Sequence, residues 1–133
     1  MSFYYVIEKN RTVDVVHLLY EDDGSTSVTL AADDVVRFKM GRRDGAQPSL
    51  DLDSAGDTSN GSGVTVDELG TSPTAQATIR FAQGDTSGLV AGVYEAEISV
   101  VDNSETSPTD AIKSFEFGTV AVLETLGGSV GLT

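Results

Sequence analysis

The strongest constraint on this chain is a period-two alternation of apolar and polar residues, repeatedly broken by clusters of Gly, Asp, Asn, Ser and Thr. Alternation throws successive side chains to opposite faces, which a strand accommodates and a helix does not. The clearest run covers 92–101. Tyr94, Ala96, Ile98 and Val100 share one face, and Glu95, Glu97 and Ser99 share the other. Residues 74–81 repeat the pattern, with Ala75, Ala77, Ile79 and Phe81 inward. Residues 35–41 place Val36, Phe38 and Met40 inward, with Val35, Arg37 and Lys39 outward.

Further strands are expected at 3–8, 12–20, 27–30, 48–52, 64–66 and 111–123. No segment makes a persuasive helix. The breaks are 9–11, the Asp-Gly turn within 21–25, the turn at 42–45, a long acidic loop at 53–63, a loop at 84–88 and a cluster at 102–109. Gly after Asp supplies the positive φ that tight turns need. Such a succession of short strands predicts an all-β sandwich or barrel. The 133 residues fit one domain, and a sandwich takes about 100 of them. A chain of this length buries roughly two-thirds of its unfolded surface, so neither metal nor disulfide is needed for folding.

Charge bounds the partners. Asp and Glu number 21 against 8 Lys and Arg, a net charge of −13, and Asp outnumbers Lys 13 to 3. That field repels nucleic acid and anionic lipid, so neither is expected as a partner. It suits a solvated surface, and in sharper form an adaptation to high salt. Scarce Lys beside abundant Asp, Thr, Val, Ala and Gly resembles proteins of halophilic archaea and their viruses. There is no Cys, which removes disulfides, thiolate metal sites and cysteine nucleophiles together. The N-terminal residues show no basic segment followed by an apolar run, so no signal peptide and no membrane span are expected.

One set of segments carries more than periodicity. It runs from Tyr20-Glu21-Asp22-Asp23-Gly24 through Val35-Val36-Arg37-Phe38-Lys39-Met40 to Asp85-Thr86-Ser87-Gly88-Leu89-Val90-Ala91-Gly92-Val93-Tyr94 and the alternating strand after it. This resembles the small immunoglobulin-like domains of tailed-phage virions, related to the N-terminal domain of baseplate upper proteins. Their pattern is an acidic-Gly turn, a Val-Arg-Phe type strand, then Asp-Thr-x-Gly-Leu-x-x-Gly-x-Tyr. The resemblance covers about residues 12–123. It implies an immunoglobulin-like antiparallel β-sandwich of seven to nine strands and a structural role on a capsid surface, neck, tail or baseplate. It brings no catalytic residues. The expected organisation is an N-terminal arm or extra strand at 1–11, the sandwich at 12–123 and a C-terminal tail at 124–133.

The chemistry-bearing residues are few. His17 is the only His and alternates with Val13, Val15 and Leu19, so it reads as a packed strand histidine. One His makes neither a multi-His metal site nor a base with an evident nucleophile. Asp51, Asp53 and Gly56 fit the first, third and sixth positions of a calcium loop, with Asp57 beside them. Ala55 stands at its fifth position and Ser62 at its twelfth, where a bidentate Glu is expected, so the calcium pattern is weak. Glu95 and Glu97 could pair for glycoside hydrolysis, but a solvated strand face predicts the same spacing. Asn10-Arg11-Thr12 and Asn60-Gly61-Ser62 are formal glycosylation acceptors without an export signal. Residues 84–88 lack the Lys and the strand-to-helix context of a phosphate loop.

Arg37, Lys39, Arg42 and Arg43 hold half of the 8 cations within 37–43. In so acidic a chain this is the candidate patch for docking on an acidic neighbour. The expectation is therefore a non-enzymatic virion protein without cofactor, made in the host cytoplasm. It docks on capsid, neck or tail subunits as a homo-oligomer or symmetric array, with capsid decoration first among those locations. Two further readings stand beside it: a loop-based module binding a host-surface glycan or protein, and a small hydrolase built on Glu95 and Glu97.

Overall fold

In the computed structural model the alternation resolves into two stacked sheets. The elements are β1 (Ser2–Glu8), β2 (Val13–Leu18), β3 (Asp34–Gly41), β4 (Leu50–Asp53), β5 (Gly63–Leu69), β6 (Thr74–Phe81), helix α1 (Gln83–Gly88), β7 (Gly92–Asp102) and β8 (Ile112–Leu123). The structure describes residues 2–21, 26, 28–31, 33–42, 50–56, 61–69, 74–102 and 111–124. The Asp-Gly turn at 22–25, the turn at 43–45, part of the acidic loop at 57–60, the cluster at 103–109 and the tail at 125–133 lie outside them.

The large sheet has the order β1-β8-β7-β3-β4 and the small sheet β2-β6-β5. Together they form an immunoglobulin-like all-β sandwich. The pairings are antiparallel except one: β1 runs parallel to β8, from Ser2 beside Phe117 to Glu8 beside Leu123. A hairpin would have forced antiparallel pairing. Here β1 hands the chain to β2 in the opposite layer, so no hairpin ties it to β8. The crossing turn contains Asn10 at φ 64°, a left-handed conformation that Asn tolerates.

The core lies where the inward faces meet. Phe38 of β3 and Phe81 of β6 cross edge-on between the layers, with ring centroids 5.4 Å apart. Val36, Ile79, Ile98, Val100, Val120 and Val122 fill in around them, all buried. Each sits on the phase that the alternation assigns to its strand.

Tyr94 is fully buried, and its hydroxyl donates to the Val90 carbonyl at 2.8 Å and accepts from the Val90 N–H at 3.1 Å. This is the tyrosine corner of immunoglobulin-like sandwiches, which fixes the approach to the strand it starts. Gly92 has φ +147°, a backbone region that side chains rarely adopt, and it turns the chain from that corner into β7.

Two expectations need correction. Residues 84–88 were expected as a loop, but they lie within α1, where Asp85 and Thr86 both donate backbone N–H groups to the Ala82 carbonyl at 2.9 Å. Thr86 is fully buried, and its hydroxyl donates to the Arg11 carbonyl at 2.7 Å and accepts from the Arg11 N–H at 3.2 Å. Thr86 thereby staples α1 to the β1–β2 crossing, an interaction that local propensity does not encode. The strand expected at 27–30 is also absent from its described part, 28–30. Val28 buries its side chain and donates its N–H to the Leu19 carbonyl at 3.1 Å, and the Glu21 N–H donates to the Thr26 carbonyl at 2.8 Å, but 28–30 form no strand ladder. Side chains hold the segment instead: Lys113 of β8 reaches the Thr29 carbonyl at 3.1 Å and the Asp34 carboxylate at 2.7 Å.

Candidate interaction face

Two arrangements could carry function: the outward face of the large sheet and a polar cluster between the layers. The outward face follows from strand phase. Inward Val120 and Val122 on β8 force Phe117, Thr119 and Leu123 to the outward side, while Ala121, on the same phase, is small enough to be buried in its row. Inward Phe3, Tyr5 and Ile7 on β1 force Tyr4 and Val6 outward. Register then groups these residues. Val6, Ala121 and Val93 form one cross-strand row; Tyr4, Thr119, Glu95 and Gly41 the next; Ser2, Phe117, Glu97, Lys39 and Asp51 the third.

The β1–β8 half of this face, together with Val93 at the start of β7, is apolar and solvent-exposed. Tyr4 is 63% exposed, Phe117 63%, Val93 66%, Leu123 48% and Val6 46%. Phe115 packs edge-on against Phe117 at 4.6 Å. The β7–β3–β4 half is charged with both signs: Lys39 stands between Glu97 and Asp51, and Arg37 stands between Ser99 and Asp53. Cross-strand neighbours of opposite charge favour the pairing. Gly41 puts no side chain outward, and an open depression of about 900 Å³ lies beside it, walled by Phe117, Val93, Lys39 and Arg42. Among the described residues the structure thus brings Arg37, Lys39 and Arg42 to one side of the sheet. The Arg42 guanidinium also lies 6.0 Å from the Tyr94 ring centroid. Arg43 lies outside the described residues.

Glu95 and Glu97 border the same depression, opposite Gly41 and Lys39. Asp51 and Asp53 lie on β4, within a strand up to Asp53 and not in an open loop. One Asp53 carboxylate oxygen accepts from the N–H groups of Ala55 and Gly56 at 2.9 and 2.8 Å, closing a local turn. Asp57 lies outside the described residues. Among the described residues, no three His, Cys, Asp or Glu side chains converge as metal ligands would.

The second arrangement joins β1, β2 and β8. His17, buried as its alternation predicts, hydrogen-bonds the Glu116 carboxylate through Nε2 at 2.6 Å and the Tyr5 hydroxyl through Nδ1 at 2.5 Å. Phe3 packs edge-on against the His17 ring at 5.2 Å. Burial, helped by the Glu116 charge, pushes the Tyr5 phenol up to about 12, so it is neutral at ordinary pH. A neutral phenol bonded to a His–Glu pair is a poor nucleophile, and the cluster's chemistry is that of a polar clasp. Sequence reading missed Glu116. The signal was available in β8: Glu116 shares its parity with Val120 and Val122, so the phase that buries them buries it.

The chain matches no protein-family model and no curated protein.

Proposed function

We propose that this domain is a non-enzymatic structural subunit of a tailed-virus virion, docked on neighbouring virion proteins as capsid decoration. The observation that carries the reading is the outward face of the large sheet. It combines exposed Tyr4, Val6, Val93, Phe117 and Leu123 with the cations Arg37, Lys39 and Arg42. Contiguous apolar surface rimmed by charge is the composition of a protein-contact site. It stands on a sandwich whose strand phases leave that face little freedom to move. The Asp85–Tyr94 segment that carries the virion resemblance forms α1, the tyrosine corner and the entry to β7, so it serves the scaffold that presents the face. The acid excess supports a saline setting, as for a virus of a halophilic host.

The test is protein mass spectrometry and imaging of purified particles of the virus that encodes the chain. The protein is expected in the particle at a copy number matching a capsid lattice. A copy number matching one ring would move it to neck, tail or baseplate. Its absence from particles would end the virion reading.

A further inference from the structure

The outward face of the large sheet also constrains what covers it. We propose that its occupant is a second copy of this chain, packed face to face about a two-fold axis near Thr119. It rests on the reading of that face as a contact surface and names the neighbour as another copy of the same chain; the isolated chain tests it, so its failure is distinct from absence of the protein from particles.

Size is the first argument. Five strands at about 4.8 Å spacing, averaging about eight residues at about 3.3 Å each, span roughly 24 by 26 Å. With side-chain relief, such a face approaches the roughly 800 Å² per partner that a standard stable interface buries. Shape is the second. Phe117 projects from β8, and further along the same strand Thr119 is half-buried and Ala121 is small and buried in its row between Val6 and Val93, so neither projects. A two-fold axis through the Thr119 row exchanges the neighbouring rows. It sets Phe117 of one copy over Ala121 and the hollow beside Thr119 of the other, and the reverse. The open depression of about 900 Å³ leaves room for the incoming ring.

Charge is the third argument. The whole chain carries −13, yet this face gathers Arg37, Lys39 and Arg42 against Glu95, Glu97 and Asp51. Lys39 and Arg37 stand beside Glu97, Asp51 and Asp53 within one copy, so the face is close to charge balance and a second copy meets far less repulsion there than the −13 of the whole chain implies, whereas a strongly acidic or strongly basic partner gains no matching field. The outward face of the three-stranded small sheet is narrower and carries fewer exposed apolar side chains, Val16 and Leu18, beside Asp14 and Arg80 paired to each other at 2.8 Å and the polar Thr65, Thr78 and Gln76.

The chain has no Cys, so single introduced cysteines report proximity cleanly. Thr119→Cys is expected to give a disulfide-linked dimer under mild oxidation, and Thr78→Cys, on the opposite face, is expected to stay monomeric. Sedimentation equilibrium of the unmodified chain is expected to show a monomer–dimer equilibrium that shifts toward dimer as salt screens the −13 charge on each copy. Phe117→Glu, at a 63% exposed position, should keep the circular dichroism of the parent and weaken dimerisation by about tenfold or more. A chain that stays monomeric at all concentrations and salt levels overturns the proposal. So does equal cross-linking at Thr78, or a dimer that Phe117→Glu leaves intact.

Discussion

His17 can hold its two neighbours in either of two proton arrangements. With the proton on Nε2, the imidazole donates to Glu116 and accepts from the Tyr5 hydroxyl. When doubly protonated it donates to both. The clasp is satisfied either way, which is the condition for keeping polar groups between sheets. Removing one partner leaves the other buried and unpaired. Glu116→Ala is therefore expected to cost about 1–3 kcal/mol, while His17→Leu with Glu116→Leu recovers most of that loss. Urea unfolding of the single and double variants measures both, and equal losses in all of them would show that the clasp does not act as a unit. Tyr5 gives a pH prediction. Its folded value of about 12 lies above the ordinary 10.0, so the stability it contributes is complete below pH 10 and is lost as pH rises from 10 toward 12. Phenolate absorbance should show a step near pH 12 from Tyr5, and Tyr5→Phe should remove that step. The sequence made His17 legible because it sits on an apolar phase. Glu116 was not legible by residue type, since a carboxylate is ordinarily solvated and only its parity within β8 betrays it.

Strand phases were the most legible part of the fold. In β3, β6 and β7 every residue expected inward is buried, because one-residue slips would send whole apolar sets to solvent. Connections were less legible. Helix α1 depends on Thr86 meeting Arg11, and the parallel placement of β1 depends on a layer crossing; both are contacts between residues distant along the chain. Gly118 shows what holds β1 in place. It lies opposite Phe3 in register, and a Cβ there would fall within the space that the Phe3 ring occupies. Gly118→Ala is expected to cost about 1–3 kcal/mol through that clash. Amide exchange should then quicken along β1 while β6 and β7 keep their protection. At the other end of the sandwich, Tyr94→Phe removes the hydroxyl that satisfies Val90, with an expected loss of about 1–3 kcal/mol measured by urea unfolding. No change would mean that packing of the ring alone makes the corner.

At the scale of the whole molecule, the −13 charge works against compactness at low ionic strength. Added salt shortens the Debye length to about 3 Å at 1 M, so the melting temperature is expected to rise with NaCl in scanning calorimetry. A flat or falling trend would mean that self-repulsion is already offset within the fold. The charge was read directly from composition. The position of the exposed aromatic rings was not, because residue type alone would have sent Phe115 and Phe117 to the core. The parallel pairing of β1 with β8 has one more consequence, and it is mechanical. Tension entering at Ser2 and leaving at Leu123 would pull the two strands past each other along their length, since Ser2 lies beside Phe117 and Glu8 beside Leu123. Every rung between them shares that load at once instead of opening one by one. A sandwich built this way resists stretching most strongly along the line joining β1 and β8.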